Sequence, residues 1–80
     1  MSKLTPEACR AARALLNWGV RDLAREAGVG FQTVARFETG RAEMRQTTAD
    51  KIVERLALAG VEITNGDGTG ARLVAKRGAG

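Results

Sequence analysis

Acid–base, nucleophilic and metal chemistry in proteins draws first on histidine and on paired cysteines. This chain of 80 residues has no histidine, which excludes a His-based triad, a general-base histidine and a His-ligated zinc site. Cys9 is the one cysteine, so a single chain can form neither an intramolecular disulfide framework nor a Cys-only metal site. A lone thiol suits the reducing cytosol, and its simplest reading is a small buried residue rather than a redox sensor. Asp67 lies in the run Asn65-Gly66-Asp67-Gly68-Thr69-Gly70, but one acid is far short of a calcium ligand set, and turn chemistry accounts for it better. No phosphate loop or nucleophile constellation is present. The expectation is therefore no enzyme, no metal and no cofactor.

Arginine is what the chain offers instead. Thirteen Lys and Arg stand against nine Asp and Glu, a net charge of +4, with a sequence pI near 10.2. That balance favours an anionic partner, of which nucleic acid is the commonest. It also falls within the roughly 2–8 charges of an ordinary small soluble domain, so where the arginines fall matters more than their number.

Positioning those side chains requires a folded core. At 44% hydrophobic and 28% charged, the composition is that of one small globular domain. Aromatics are scarce (Trp18, Phe31 and Phe37), so the core must come from Ala, Leu, Val and Ile, as in small helical domains. No apolar run approaches the roughly 18–20 residues of a membrane span, and the first residues lack the apolar stretch of a signal peptide. A cytoplasmic protein is expected.

The spacing predicts a first helix from Thr5-Pro6-Glu7, with Thr5 as N-cap, Pro6 in the first position and Cys9, Ala12, Arg13 and Leu16 on one face. Asn17-Trp18-Gly19 ends it. A second helix follows over Val20 to Ala27, and a third from Phe31 to about Thr39 with Val34 and Phe37 inward and Gly40 as a left-handed stop. Residues 41–47 read as a loop, and a fourth helix starts under Thr47 or Thr48. Alternation in Val61–Thr64 and Ala71–Val74 around the glycine-rich run predicts a β-hairpin, and residues 76–80 read as a disordered tail.

Residues 20–39 are the informative window. Ala24 is small where two helices would cross closely, Gly28 accepts an unusual backbone angle, and Leu23, Ala27, Val29, Val34 and Phe37 supply apolar inner faces. This is the spacing of a helix-turn-helix, in which the second helix enters the major groove of DNA. The window alone serves equally an αα-hairpin in a bundle without a DNA role.

What surrounds the window lifts that ambiguity. Leu4-Thr5-Pro6-Glu7 through Ala11-Ala12-Arg13, then Leu23-Ala24-Arg25-Glu26-Ala27-Gly28-Val29, then Thr33-Val34-Ala35-Arg36-Phe37-Glu38-Thr39-Gly40-Arg41 resemble the helix-turn-helix family of lambdoid phage repressors, Cro proteins and restriction-system controller proteins, the XRE family. The resemblance covers residues 4 to about 60. It implies a mostly α, four- to five-helix lambda-repressor-like domain over residues 1–60, followed by the short hairpin at 61–75 as a candidate dimerisation element.

By the same resemblance Phe31, Gln32, Thr33 and Arg36 face base edges. The chemistry agrees, since Gln32 can pair bidentately with adenine and Arg36 with guanine, while the Phe31 ring could pack on a thymine methyl group. Thr39, Arg41 and Arg45 correspond to phosphate contacts, Arg21 is expected to replace one that the opening of the second helix lacks, and Arg13 with Glu38 corresponds to a structural ion pair that orients the recognition helix. One departure stands out. The family usually opens its second helix with a polar residue and a glutamine that reaches phosphate, and this chain has Gly19 and Val20. Gly30 likewise replaces the usual Ser or Thr cap.

These features lead to a DNA-binding transcriptional regulator, most simply a repressor. So small a domain reads few base pairs, so a homodimer on a roughly palindromic operator in double-stranded DNA is expected, joined through the fourth helix or a hairpin edge. The other reading is a helix-turn-helix module that sequesters another regulator, with Phe31, Leu15 and Leu58 as apolar contacts.

Overall fold

The computed structural model describes residues 4–64 and 70–74. Four helices, α1 (Pro6–Leu16), α2 (Val20–Ala27), α3 (Phe31–Glu38) and α4 (Gln46–Leu58), precede strands β1 (Val61–Thr64) and β2 (Gly70–Leu73). The expected hairpin turn, with Asp67, and the expected tail lie outside the described residues.

The helix ends follow from local chemistry. Thr5 caps α1 by accepting the Ala8 N–H at 3.0 Å, and Pro6 fills a position whose N–H would otherwise lack a partner. The first three helices then close in one way. A left-handed residue follows each last turn: Asn17 (φ 58°), Gly28 (φ 71°) and Gly40 (φ 76°). Each lets the next N–H reach back to a carbonyl five residues earlier, Trp18 to Arg13, Val29 to Ala24 and Arg41 to Arg36, all at 2.9 Å. Gly28 and Gly40 each have open space where a Cβ would stand, so the backbone angle rather than crowding calls for glycine there.

The core is one cluster shared by every element. Cys9, Leu23, Val34, Ile52, Leu56 and Val61 are its largest fully buried side chains, and Ile63 joins them from β1. The hairpin is thus packed into the helical core, not appended to it. β1 and β2 pair antiparallel with Val61 opposite Leu73 and Thr64 opposite Gly70. The ladder extends one step beyond β2, where the Val74 N–H donates to Gly60 O at 2.7 Å.

The four helices among the described residues fall within the four to five expected. Two boundaries need correction. α4 begins at Gln46, ahead of Thr47 and Thr48, with Arg45 as an N-cap that offers no side-chain acceptor. The first turn is held instead by Gln46 Nε2 donating to Asp50 Oδ1 at 2.7 Å, so no hydroxyl cap is needed and the loop is shorter. β2 begins at Gly70, one residue early, because the register places it opposite Thr64.

Candidate nucleic-acid interface

α2 and α3 meet over Leu23, Ala24, Val34 and Phe37, all buried. That packing settles which side of α3 faces out. Phe31, Gln32, Thr33 and Arg36 are exposed while Val34, Phe37 and Glu38 are covered. Gln32 and Arg36 are four residues apart and therefore neighbours on one helical face. Thr39 is also exposed, but its hydroxyl donates to the Ala35 and Arg36 carbonyls at 3.1 and 3.2 Å. To donate to a phosphate it would have to leave them.

Eight of the nine described arginines divide into two sets. Arg13, Arg25, Arg55 and Arg72 pair with Glu38, Asp22, Glu26 and Glu62 at 2.6–2.9 Å. Among the described residues, no carboxylate pairs with Arg21, Arg36, Arg41 or Arg45, and all four are exposed. These four lie at the start of α2, on α3 and on the α3–α4 loop, while Arg10 on α1, bonded to a backbone carbonyl, and Lys51 on α4 also have no described carboxylate partner.

Arg13 and Glu38, from opposite halves of the fold, are brought together. Arg13 Nε and Nη2 donate to the two Glu38 carboxylate oxygens at 2.8 and 2.7 Å, a fork on a carboxylate that is 5% exposed. This contact holds the Arg13 guanidinium above its ordinary pKa. The third Arg13 nitrogen, Nη1, donates to Trp18 O at 3.0 Å and ties down the α1–α2 connection. Two further α1 residues join the cluster. Cys9 Sγ donates to Glu38 Oε2 at 3.0 Å, and Arg10 Nη1 donates to the Glu38 backbone carbonyl at the end of α3. Burial first, and then its bond to Glu38, push the Cys9 thiol far up, so it stays protonated and can donate. No buried side-chain nitrogen or oxygen among the described residues lacks a partner.

Sequence reasoning did not anticipate Cys9 or Arg10 here. Arg10 lies one turn before Arg13 and was detectable from that spacing, whereas nothing marked Cys9 as a donor. Asp22 accepts from Arg25 at 2.9 Å through one carboxylate oxygen. Its second oxygen also accepts the Gly19 N–H at 2.8 Å, making half of a capping box. These contacts, the Gly19 N–H first, hold its carboxyl below the usual range.

Arg21 and Phe31 are also adjacent. The Arg21 guanidinium carbon lies 4.3 Å from the centroid of the Phe31 ring, which is 38% exposed. Elsewhere, the Arg55 guanidinium carbon lies 5.6 Å from the centroid of the Trp18 ring. Leu15, Leu58 and Leu73 are exposed apolar residues. A concavity of about 600 Å³ runs between the start of α1 and the α3–α4 loop over Phe37 and Met44, and brings Arg41, Glu43 and Gln46 to its rim. No cluster of three cysteine or carboxylate side chains among the described residues could hold a metal ion. No helix there is long and apolar enough to cross a membrane.

A family model described as Helix-turn-helix matches residues 10–63, from the first half of α1 through most of β1. No curated protein matches the chain.

Proposed function

The chain belongs to the XRE type of helix-turn-helix proteins, a family of DNA-binding regulators, and within it we propose a repressor that binds a roughly palindromic operator as a homodimer. The observation that carries the site is the distribution of arginines: Arg21, Arg36, Arg41 and Arg45 have no carboxylate partner among the described residues and lie on or beside the exposed face of α3. In this reading α3 lies in the major groove, where Gln32 and Arg36 take adenine and guanine edges bidentately and Thr33 adds a hydroxyl. Arg21, Arg41 and Arg45 hold phosphates, which set orientation without carrying sequence information. Thr39 supports that set through the α3 terminus. Arg13 and Glu38 keep α3 at its angle to α1 and touch no base.

The homodimer forms through the hairpin, by residues 61–64 and 70–74. Because Gly60 and Val74 are a hydrogen-bonded pair, the alternation of an antiparallel ladder turns the N–H and C=O groups of Ala71 and Leu73 away from β1. Leu73 is directly opposite the buried Val61 yet is 57% exposed, so the apolar face runs on past its cover. Such an edge invites a second copy.

The test is a titration of a fluorescent duplex from upstream of the protein's own gene, beside a scrambled duplex, at two salt concentrations. Tight binding to the first alone, weakening as salt rises, supports an autoregulatory repressor. Arg36→Ala should weaken that binding by about 10- to 100-fold and leave the scrambled duplex nearly unaffected, the loss of one bidentate base contact. Binding of neither duplex at low salt would overturn the reading and direct the search to a protein partner.

A further inference from the structure

We propose that Phe31 is a positioning residue that holds the Arg21 guanidinium against a DNA phosphate, in place of the base-facing role its position suggests. The inference rests on the DNA-binding reading above. Phe31 opens α3 and Arg21 is the second residue of α2, so their side chains bridge the first turns of the two helices. At 4.3 Å from the ring centroid the guanidinium is well inside the ~6 Å range of a cation–π contact. A ring contact leaves most of the five N–H donors of arginine unclaimed, and no described carboxylate competes for them.

Three observations favour phosphate as what those donors meet. The N-cap of α3, Gly30, carries no side-chain acceptor and the first turn of α3 has no acid, so that positive helix end is left for an anion beside Arg21. In the first turn of α2, Val20 and Leu23 are apolar and Asp22 is acidic, so Arg21 is the one side chain there that can hold an anion. The phenyl ring, for its part, has no donor or acceptor for a base edge. Its partly exposed face is already committed to Arg21. Stacking restricts a long, flexible side chain before DNA arrives, so less freedom is lost on binding.

The experiment is a double-mutant cycle read on two duplexes, one selected by the wild type from random DNA and one of scrambled sequence. Arg21→Gln should weaken both and lower the salt slope by about 0.9 per protomer, the loss of one phosphate. Phe31→Leu should weaken both by a similar factor of about three to ten. In the Arg21→Gln background Phe31→Leu should have no further effect, and Phe31→Trp should preserve affinity only while Arg21 is present. If Phe31→Leu fails to melt cooperatively, the Trp arm completes the same cycle. An effect of Phe31→Leu that persists without Arg21, or that is confined to the selected duplex and changes its base preference, would overturn the proposal. Wild-type protein that binds neither duplex would overturn the DNA-binding reading itself, and this inference with it.

Discussion

Glu38 ties the end of α3 to α1. Its carboxylate is buried at the end of α3 and accepts from Arg13 twice and from Cys9 once, while Arg10 takes its backbone carbonyl. Removing the carboxylate would strand a guanidinium that keeps only 19% of its side-chain exposure. Glu38→Ala should therefore lower stability by about 2–4 kcal/mol, less than the upper range for a fully enclosed pair because Arg13 still reaches water. Urea denaturation measures it; a loss below about 0.5 kcal/mol, the level of a surface pair, would show that the cluster is not what fixes α3. The Arg13–Glu38 pair was legible only through the family resemblance, since 25 residues separate the two in the chain. Cys9 was legible as a buried residue and not as a donor, because burial follows from helical spacing and a hydrogen bond to a distant carboxylate does not.

The helices were mostly legible because their signals are local: a Thr-Pro start, apolar spacing, and glycines at the left-handed stops. α2 matches its expected limits, Val20–Ala27. The start of α4 was not legible, since Gln46–Asp50 replaces the hydroxyl cap on which such readings rely. The glycine caps make two predictions. Gly30 has an extended backbone that any residue can adopt, and a Cβ there would stand 3.4 Å from Thr33 Oγ1. Gly30→Ser adds a cap oxygen and restrains the unfolded chain, so the melting temperature should rise, by about 0.5–1 kcal/mol of stability, provided Thr33 shifts slightly. An unchanged or lower midpoint would mean that Thr33 cannot yield. At α2, Asp22 supplies the missing cap partner from inside the helix. Its carboxyl titrates below the ordinary value of 3.8 in the folded state, so its contribution is complete above that value and is lost as pH falls through the depressed one. The stability gap between wild type and Asp22→Asn should thus be flat near neutrality and narrow in acid. A gap that is the same at neutral and acid pH would show that the Asp22 charge plays no part in the cap.

The assembled protein joins two features that the chain alone leaves unconnected: unpaired arginines around α3 and an open strand edge on the hairpin. Charge counting could indicate an anionic partner but not which arginines remain available, because the neutralising carboxylates come from other elements, as with Glu26 for Arg55. Similarly, alternation marked the hairpin strands, but the exposure of Leu73 opposite buried Val61 emerges only from the register. The two features make a joint prediction. If each protomer places Arg21, Arg41 and Arg45 on phosphates, a dimer neutralises six, and log K should fall with log salt at a slope of about −5. Leu73→Asp puts a charge on the proposed edge contact, where it would be repelled by its own copy and desolvated on pairing. That variant should sediment as a monomer and bind the selected duplex with a slope near −3, still folded because Leu73 lies at the margin of the core. A monomeric variant that keeps the slope of −5 would mean that the six contacts are not divided between two copies. A variant that remains dimeric would place the interface elsewhere, with the exposed Leu58 on α4 the next residue to substitute.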